Sequence, residues 1–287
     1  MTGYIVRRLL GIIPTLLLLT LVVVVMMRMM PADIVDVLLQ EQAADENTRA
    51  ELRARLGLDK PLPVRYVEYV GGLTQGDLGT SLLRNRPVSS MIVERINVTV
   101  ELALVALVVA FTIGTTIGVI SAVASDTPLD YLLRAVGLLG LIFPTFALAT
   151  AAILLPAIYF NWSPPVSYVT FKQDPVGHVT QYILPGLVLG AVGAAVIMRV
   201  SRTQMLEVLR QDYVRTARMK GLRERTVILR HVIKNAMIPV ISVFGIQVAA
   251  LMSGTVIIEN VFALPGLGRL LVDAVNQRDY PVVQGVT

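Results

Sequence analysis

Two histidines and no cysteine leave this sequence of 287 residues little with which to make or break bonds. His231 has no partner set for a metal and no serine or carboxylate in a catalytic arrangement beside it, so it reads as a packing or interface histidine. His178 reads as a bland residue of an external loop. The missing cysteine excludes disulfides, thiol catalysis and thiolate metal sites. "LPGLG", Leu264 to Gly268, is rich in glycine but lacks the GxxxxGK[ST] spacing that cradles phosphates, and no Walker motif occurs elsewhere. No catalytic residue, no metal ligand and no cofactor is therefore expected on this chain. What stands out is electrostatic. "DYVRTARMKGLRERTVILRHVIKNAMIP", Asp212 to Pro239, is strongly basic and leads directly into an apolar run.

Gly221 divides that stretch. "DYVRTARMK" precedes it and "LRERTVILRHVIKN" follows, each with the pattern of a short, partly amphipathic helix. A glycine between them supplies a turn with positive φ or a close approach. Three readings stay open on the residues alone: a paired-helix knob for a soluble partner, a basic surface on anionic lipid at about 1 kcal/mol per residue, or a solvated loop.

The elements that must position this segment are membrane spans. Only 16% of residues are charged, against about 25% in soluble domains, and the mean hydropathy is +0.69. Leu9–Met27, Leu102–Ser125, Ala135–Phe171, Val179–Met198 and Asn235–Ile258 carry no charge. A spanning helix needs about 20 apolar residues. The predicted class is thus an all-α integral membrane protein. Span one covers 1–30 and is closed by "MPAD", a polar external segment covers 31–97, and a core covers 98–287. The core has spans near 99–125, 132–159, 181–200 and 235–258, with a loop at 201–234. In the external segment, Asp45–Leu56 with Gly57 as its cap, the stretch after Pro63, and "PVSSMIVERI" are predicted helical; "GGLTQGDLGTS" is predicted a loop. Trp162 and Tyr168 are expected at headgroup level.

Charge sets the orientation. Arg199 to Lys234 holds ten Lys or Arg and three acidic residues, whereas 31–97 holds 10 acidic and 8 basic. The positive-inside bias places the former in the cytoplasm and the latter outside, with the N-terminus and Arg7–Arg8 inside. The net charge of +5 thereby reads as topology and not as nucleic-acid binding.

Within the spans, Gly114 and Gly118 form a GxxxG pair that permits close helix contact. Pro144 is expected to bend span three in mid-membrane, and Pro239 to lie in the first turns of span five. Gln247 is an amide in an apolar helix and wants a partner. Gly114, Gly118, Pro144, Gln247 and Ser253 are candidates for a translocation path or for helix packing. Glu259 and Asn260, with Pro265, Gly266 and Gly268, are candidates for an external gate or turn.

"DYVRTARMKGLRERTVILRHVIKNAMIP" resembles the cytoplasmic signature loop of ABC importer permeases, in the first-subunit branch of the dipeptide/oligopeptide family. Arg215-Thr216-Ala217 stands where that family has its Glu-Ala-Ala signature, and Gly221 follows at the signature spacing. "RLGLDKPLPVRYVEYVGGLTQGDLGTSL", "ENVFALPGLGRLLVDAVNQRDYPVVQG" and "MTGYIVRRLL" extend the likeness over nearly the whole chain. The resemblance implies a type I importer permease fold with six spans, of which five are visible and a sixth, expected after Val286, is missing. It implies a bacterial inner-membrane peptide transporter, with nickel complexes or other small solutes as the alternative cargo. Its implied partners are a second permease, two ATPases that bind ATP and magnesium, and an extracellular or lipid-anchored binding protein. Arg215, Thr216, Ala217, Arg218, Lys220, Gly221 and Arg223 would couple to an ATPase, Ala217 being small so that the knob seats closely. Three departures stand out: Arg215 replaces the signature acid, "RINVT" at Arg95 to Thr99 lacks a Leu-Pro pair, and "MPADIVD" lacks a glycine after its proline. A competing class, the ion-coupled secondary transporter, calls for ionisable groups inside the spans and an internal repeat; neither is evident in the sequence. A receptor or structural membrane protein has no use for a glycine-split basic knob.

Overall fold

The computed structural model describes residues 2–29, 34–35, 39, 46–55, 58–165 and 167–287. The "MPADIVD" stretch that closes span one and the Asp45, Leu56 and Gly57 ends of the next expected helix lie outside or straddle the edge of the described residues. The chain forms two compact units, Met1–Ile96 with Arg269–Thr287, and Asn97–Gly268.

In the first unit, α1 (Thr2–Met29) is uniformly apolar, and Leu10, Leu18 and Met26 are each about 60% exposed on its surface. Such a helix is solvated by lipid tails and not by a core. The polar segment after it is ordered locally. Helix α2 (Glu46–Arg55) is followed by α3 (Leu62–Thr74), which starts at Pro61 with Pro63 in its first turn. The helix thus begins before Pro63 and runs through Gly71 and Gly72, so the expected loop starts only at Gln75. Proline fits the first turn because its missing N–H has no intrahelical partner there. Tyr66 Oη donates to the Leu17 carbonyl at 2.7 Å, and Tyr69 Oη to that of Gln284 at 2.8 Å. A tight turn closed by the Thr80–Pro87 bridge presents Ser81 Oγ and the Leu82 N–H to the buried Asp279 carboxylate.

The second unit is a helical bundle. Helix α4 (Val88–Val123) enters it at Asn97, and α5 (Pro128–Ile142), α6 (Thr145–Phe160) and α7 (Pro175–Leu209) follow. Helix α8 (Asp212–Met219) is short, and α9 (Glu224–Val261) contains a π-helical stretch at Val227–Val232. Helices α10 (Leu267–Asn276) and α11 (Tyr280–Val286) end the chain. Among the described residues, α1, α4, α7 and α9 are each long and apolar enough to cross a membrane.

Three spans differ from expectation. "PVSSMIVERI" is helical but is continuous with span two, so α4 is 36 residues long and spans about 54 Å. Span three is not one bent helix. Phe143 is extended (φ −91°, ψ 133°), and α5 and α6 meet at 103°. The residue before a proline is driven out of the helical region, so Pro144 ends one helix and starts another. Span five begins far earlier than Asn235. The second half of the basic stretch is its first turns, which puts Pro239 in the helix interior.

Helix α7 is the packing centre, being the most buried of the long helices. Small residues let its neighbours approach. A β-carbon at Gly114 would lie 2.7 Å from the Ala194 carbonyl oxygen, and one at Gly118 would lie 2.7 Å from those of Met198 and, by its Cβ, Ser201. The GxxxG pair is therefore a seam between α4 and α7. In lipid, where the tails are as apolar as the side chains, such close van der Waals contact is a main source of helix association.

Candidate functional site

Helix α8 carries the basic knob. Its eight residues start with Asp212, whose charge suits the N-terminal dipole. Val214 and Ala217, one turn apart, are buried. They join Ala122 of α4, Met205 of α7, and Val227, Val232 and Ala236 of α9 in one apolar cluster. Ala217 is therefore small because it packs under the knob; its side chain is only 6% exposed and does not form the outer surface.

The end of α8 is a helix cap built on Gly221. The Gly221 N–H donates to the Arg218 carbonyl at 2.9 Å, and the Leu222 N–H to the Ala217 carbonyl at 3.4 Å. With Gly221 at φ +78°, this is the Schellman arrangement, in which a left-handed residue lets the last carbonyls be satisfied. A side chain at Gly221 would meet nothing within 4 Å, so the need for glycine is conformational and not steric. Arg218 reaches across the turn to Glu224 with two hydrogen bonds, 2.7 and 3.1 Å. Glu224 holds the Arg218 guanidinium above its ordinary pKa. Both side chains are largely exposed, so the pair adds at most about 1 kcal/mol. At the surface Tyr213 Oη accepts from Asn235 Nδ2 at 2.9 Å and ties α8 to α9.

The outer surface is amphipathic. Arg215, Thr216, Lys220, Gly221 and Arg223 are exposed, and among the described residues Arg215, Lys220 and Arg223 form no ion pair. Between them lies Met219, 83% exposed, with Leu222 at 41%. The sequence reading did not single out Met219. The signal was its position: a large apolar residue two places before the capping glycine and out of phase with the buried Val214 and Ala217.

A second group lies directly above the knob's cluster. Asp130 is fully buried, and its carboxylate accepts from Arg202 Nε at 3.0 Å and Nη2 at 2.7 Å, from Ser121 Oγ, and from the Asp126 N–H at 3.1 Å. Three helices, α4, α5 and α7, meet on this one group. The helices hold more ionisable groups than the almost charge-free spans of the sequence reading: Glu101, Asp130, His178, Arg202 and Glu259 lie in the long helices and α5. Asp130 was hidden in what looked like a short loop, and Arg202 in a loop that is in fact the last turns of α7.

Glu259 is buried and accepts from Thr99 Oγ1 at 2.7 Å, while that hydroxyl accepts the Leu267 N–H at 2.8 Å. Its carboxylate lies against the backbone of Gly266 and Gly268: β-carbons there would approach it to 2.3 and 3.0 Å. It organises the Pro265 turn, and Asn260 only bonds the Val256 carbonyl of its own helix. Pro144 is exposed at the α5–α6 break, and Ser253 bonds its own helix at Ala250. Gln247 is half-buried beside Gly193. These path candidates are not brought together in one site. His178 departs most from expectation. It is a buried residue of α7, with Nδ1 2.8 Å from the Val169 carbonyl and Nε2 3.1 Å from Glu101 Oε2. Tyr168, expected at the headgroups, packs edge-on against it. Among the described residues no group of three or more His, Asp or Glu side chains is placed to hold a metal.

The chain is thus a multi-span helical bundle with a capped basic knob packed against its long helices. The fold is that of a chain in the crystal structure of an amino acid ABC transporter with histidines, matched at TM-score 0.53 and 13% identity over 69% of this chain and 85% of that one. Residues 114–287 match the family described as binding-protein-dependent transport system inner membrane component, and 1–103 match its N-terminal companion. The chain belongs to this family of inner membrane permease components. It is similar to a putative peptide transport system permease protein of Brucella suis, 39% identical over 99% of this chain and 90% of that one. The dipeptide transport system permease protein DppB of Escherichia coli K12 is 38% identical over 99% and 91%. The di/tripeptide transport system permease protein DppB of Pseudomonas aeruginosa is 40% identical over 99% and 90%. As a member, the chain is a transport subunit of an ABC importer that is coupled to separate ATPase subunits and is not itself the ATPase.

Proposed function

We propose that this chain is one permease of an importer for dipeptides and short oligopeptides, and that α8 with the Gly221 cap is the surface on which an ATPase acts. One observation carries the coupling reading: the knob's inner face is buried in the same cluster as the ends of α4, α7 and α9. Force applied to its exposed face, Met219 with Arg215, Lys220 and Arg223, reaches three spans without crossing a loop. The relatives named for peptide transport support the cargo. The expected partners are a second permease, two ATPases carrying ATP and magnesium, and a binding protein.

The same reading gives five spans, with α5 and α6 as one broken crossing. A re-entrant pair would leave three crossings between the basic N-terminus and the knob and put ten Lys or Arg on the side opposite Arg7 and Arg8. A broken span leaves four and keeps both inside, as the positive-inside bias favours. The N-terminus is then cytoplasmic and residues 31–97 external.

Co-purification followed by ATP-driven uptake of radiolabelled dialanine in proteoliposomes tests this. Absence of ATPase subunits from the purified complex, or uptake that needs no ATP, refutes the coupling. Failure of dialanine and trialanine to compete for uptake refutes the peptide cargo.

A further inference from the structure

We propose that α3 is an interfacial membrane helix and that its exposed face is a contact surface for lipid acyl chains. The polar composition of residues 31–97 favours water, but the depth at which α3 is fastened to α1 favours lipid.

Tyr66 Oη donates to the Leu17 carbonyl at 2.7 Å and lies 3.4 Å from Thr20 Oγ1. Both partners sit inside the charge-free run Leu9–Met27 of α1. Ten residues separate Leu17 from Met27, the end from which the chain leads on to α3. At about 1.5 Å per residue, the Leu17 carbonyl lies about 15 Å below that end, half the depth of a hydrocarbon core of about 30 Å. After allowance for the reach of the tyrosine and for an ordinary helix tilt of about 20°, the axis of α3 lies roughly 5–10 Å inside the apolar run. Amphipathic helices rest at that depth, at the boundary of headgroups and acyl chains.

The two faces of α3 fit this place. Leu62, Arg65, Tyr66, Tyr69, Val70 and Leu73 recur at helical spacing and are half-buried. The protein holds this face: Tyr69 donates to the Gln284 carbonyl of α11 at 2.8 Å, and the Arg65 guanidinium lies over the Tyr280 ring, 5.6 Å from its centroid. The opposite face carries Val64, 44% exposed, and Val67, 68% exposed. Its charge is cancelled locally, since Lys60 Nζ donates to both oxygens of Glu68, at 2.6 and 2.9 Å. Thr74 Oγ1 donates to the Gly71 carbonyl at 2.8 Å. Pro61 and Pro63 begin the helix without N–H groups that would otherwise call for water. The side-chain polar groups of this face are thus met within the segment, which lipid demands and water does not. Leu18, beside the acceptor on α1, is itself 62% exposed, so α3 is fastened to a part of α1 that is bathed in lipid. The consequence is a second tie between residues 31–97 and the bilayer, with the valine face withdrawn from any water-soluble partner.

The sequence contains no cysteine, so a single introduced one reports its own surroundings. The complete importer carrying Val67→Cys is placed in phosphatidylcholine nanodiscs, where both sides are open to reagent. It is reacted with a sulfonated maleimide, and the label is read on the gel band of this chain. Thiols react as thiolates, which form in water, so labelling should be about tenfold or more slower than at the exposed Glu51→Cys on the polar α2. In a second preparation, monobromobimane is attached to the same cysteine in detergent, before the discs are formed. Phosphatidylcholine with a nitroxide on its acyl chain should then quench it, as it should bimane at Leu18→Cys. Labelling as fast as at Glu51→Cys overturns the proposal. Slow labelling without quenching shows that a protein partner covers the face, and overturns it as well. Val64→Cys, on the same face, gives an independent reading should the first variant fail to assemble.

Discussion

Replacing Asp130 with alanine strands a cation. Asp130 is fully buried and Arg202 keeps 18% of its side chain exposed, so removal of the carboxylate leaves the guanidinium charge without its counter-ion and Nη2 without its acceptor, Nε keeping only Ser121 Oγ at 3.1 Å, and leaves the Ser121 hydroxyl without its acceptor. Breaking a buried ion pair from one side costs about 3–5 kcal/mol. The partial exposure of Arg202 argues for the lower end, about 3 kcal/mol. At about 2–4 °C per kcal/mol for chains of this size, the melting temperature of the detergent-purified complex should fall by about 6–12 °C. The double variant Asp130→Leu/Arg202→Met removes both charges and fills both volumes with apolar atoms. Such replacements are often neutral or stabilising, so it should recover most of the loss. Uptake per ATP should not recover with it, because the charge-fixed contact of α5 with α4 and α7 is gone. Differential scanning fluorimetry on the two variants reads the first part, and dialanine uptake against phosphate release reads the second. A single variant that melts like the unaltered protein refutes the energetic argument. A double variant with full coupling refutes the claim that the pair positions the spans.

Gly221→Val should raise the cost of the cap by about 1–2 kcal/mol, since φ +78° is forbidden to a branched side chain although space is free; loss of uptake with intact assembly, seen by size-exclusion chromatography, is the expected outcome. Met219→Asp should leave the melting temperature unchanged, within about 0.5 kcal/mol, because the side chain is exposed. It should weaken retention of the ATPases on an affinity column. Ala217→Leu should do the reverse, retaining the ATPases while overpacking the cluster by about 1–3 kcal/mol and lowering uptake per ATP. Gly118→Ala places a methyl group 2.7 Å from the Met198 carbonyl oxygen and should cost about 1–3 kcal/mol in thermal unfolding; an unchanged midpoint would show that the α4–α7 seam can relax.

What the sequence disclosed and what it concealed divide along a physical line. Runs without charge disclosed the long helices, since lipid demands them. The Gly221 cap was legible because a single glycine between two helical patterns has few other uses. Helix ends were less legible. Leu102–Ser125 marks the apolar part of α4, but the helix starts at Val88, in a charged stretch where apolar composition does not mark it. The Pro144 break was foreseen as a bend; its size follows from Phe143 turning extended, which no composition reveals. Charges paired across spans were invisible because each lies far from its partner in sequence: Asp130 and Arg202 are 72 residues apart. Read singly, each looked like an inner-loop charge, and His178 like an outer-loop one.

The pairing also bears on how the chain transmits force. Ser121 and Ala122 are neighbours on α4; one enters the ion cluster, the other the apolar cluster under the knob. Arg202 and Met205, one turn apart on α7, do the same. The two clusters are therefore stacked on the same two helices, so neither can shift without loading the other. Packed interiors respond to such loads by moving as units and not by bending continuously. Under the coupling reading proposed above, a push on α8 is expected to move the ends of α4, α5 and α7 together. Helix α9 is different: between the knob and its Pro239 stands the π-helical stretch Val227–Val232, where the regular bond ladder is already widened. That stretch is nevertheless held against the knob, because Val227, Val232 and Ala236 belong to the cluster beneath it.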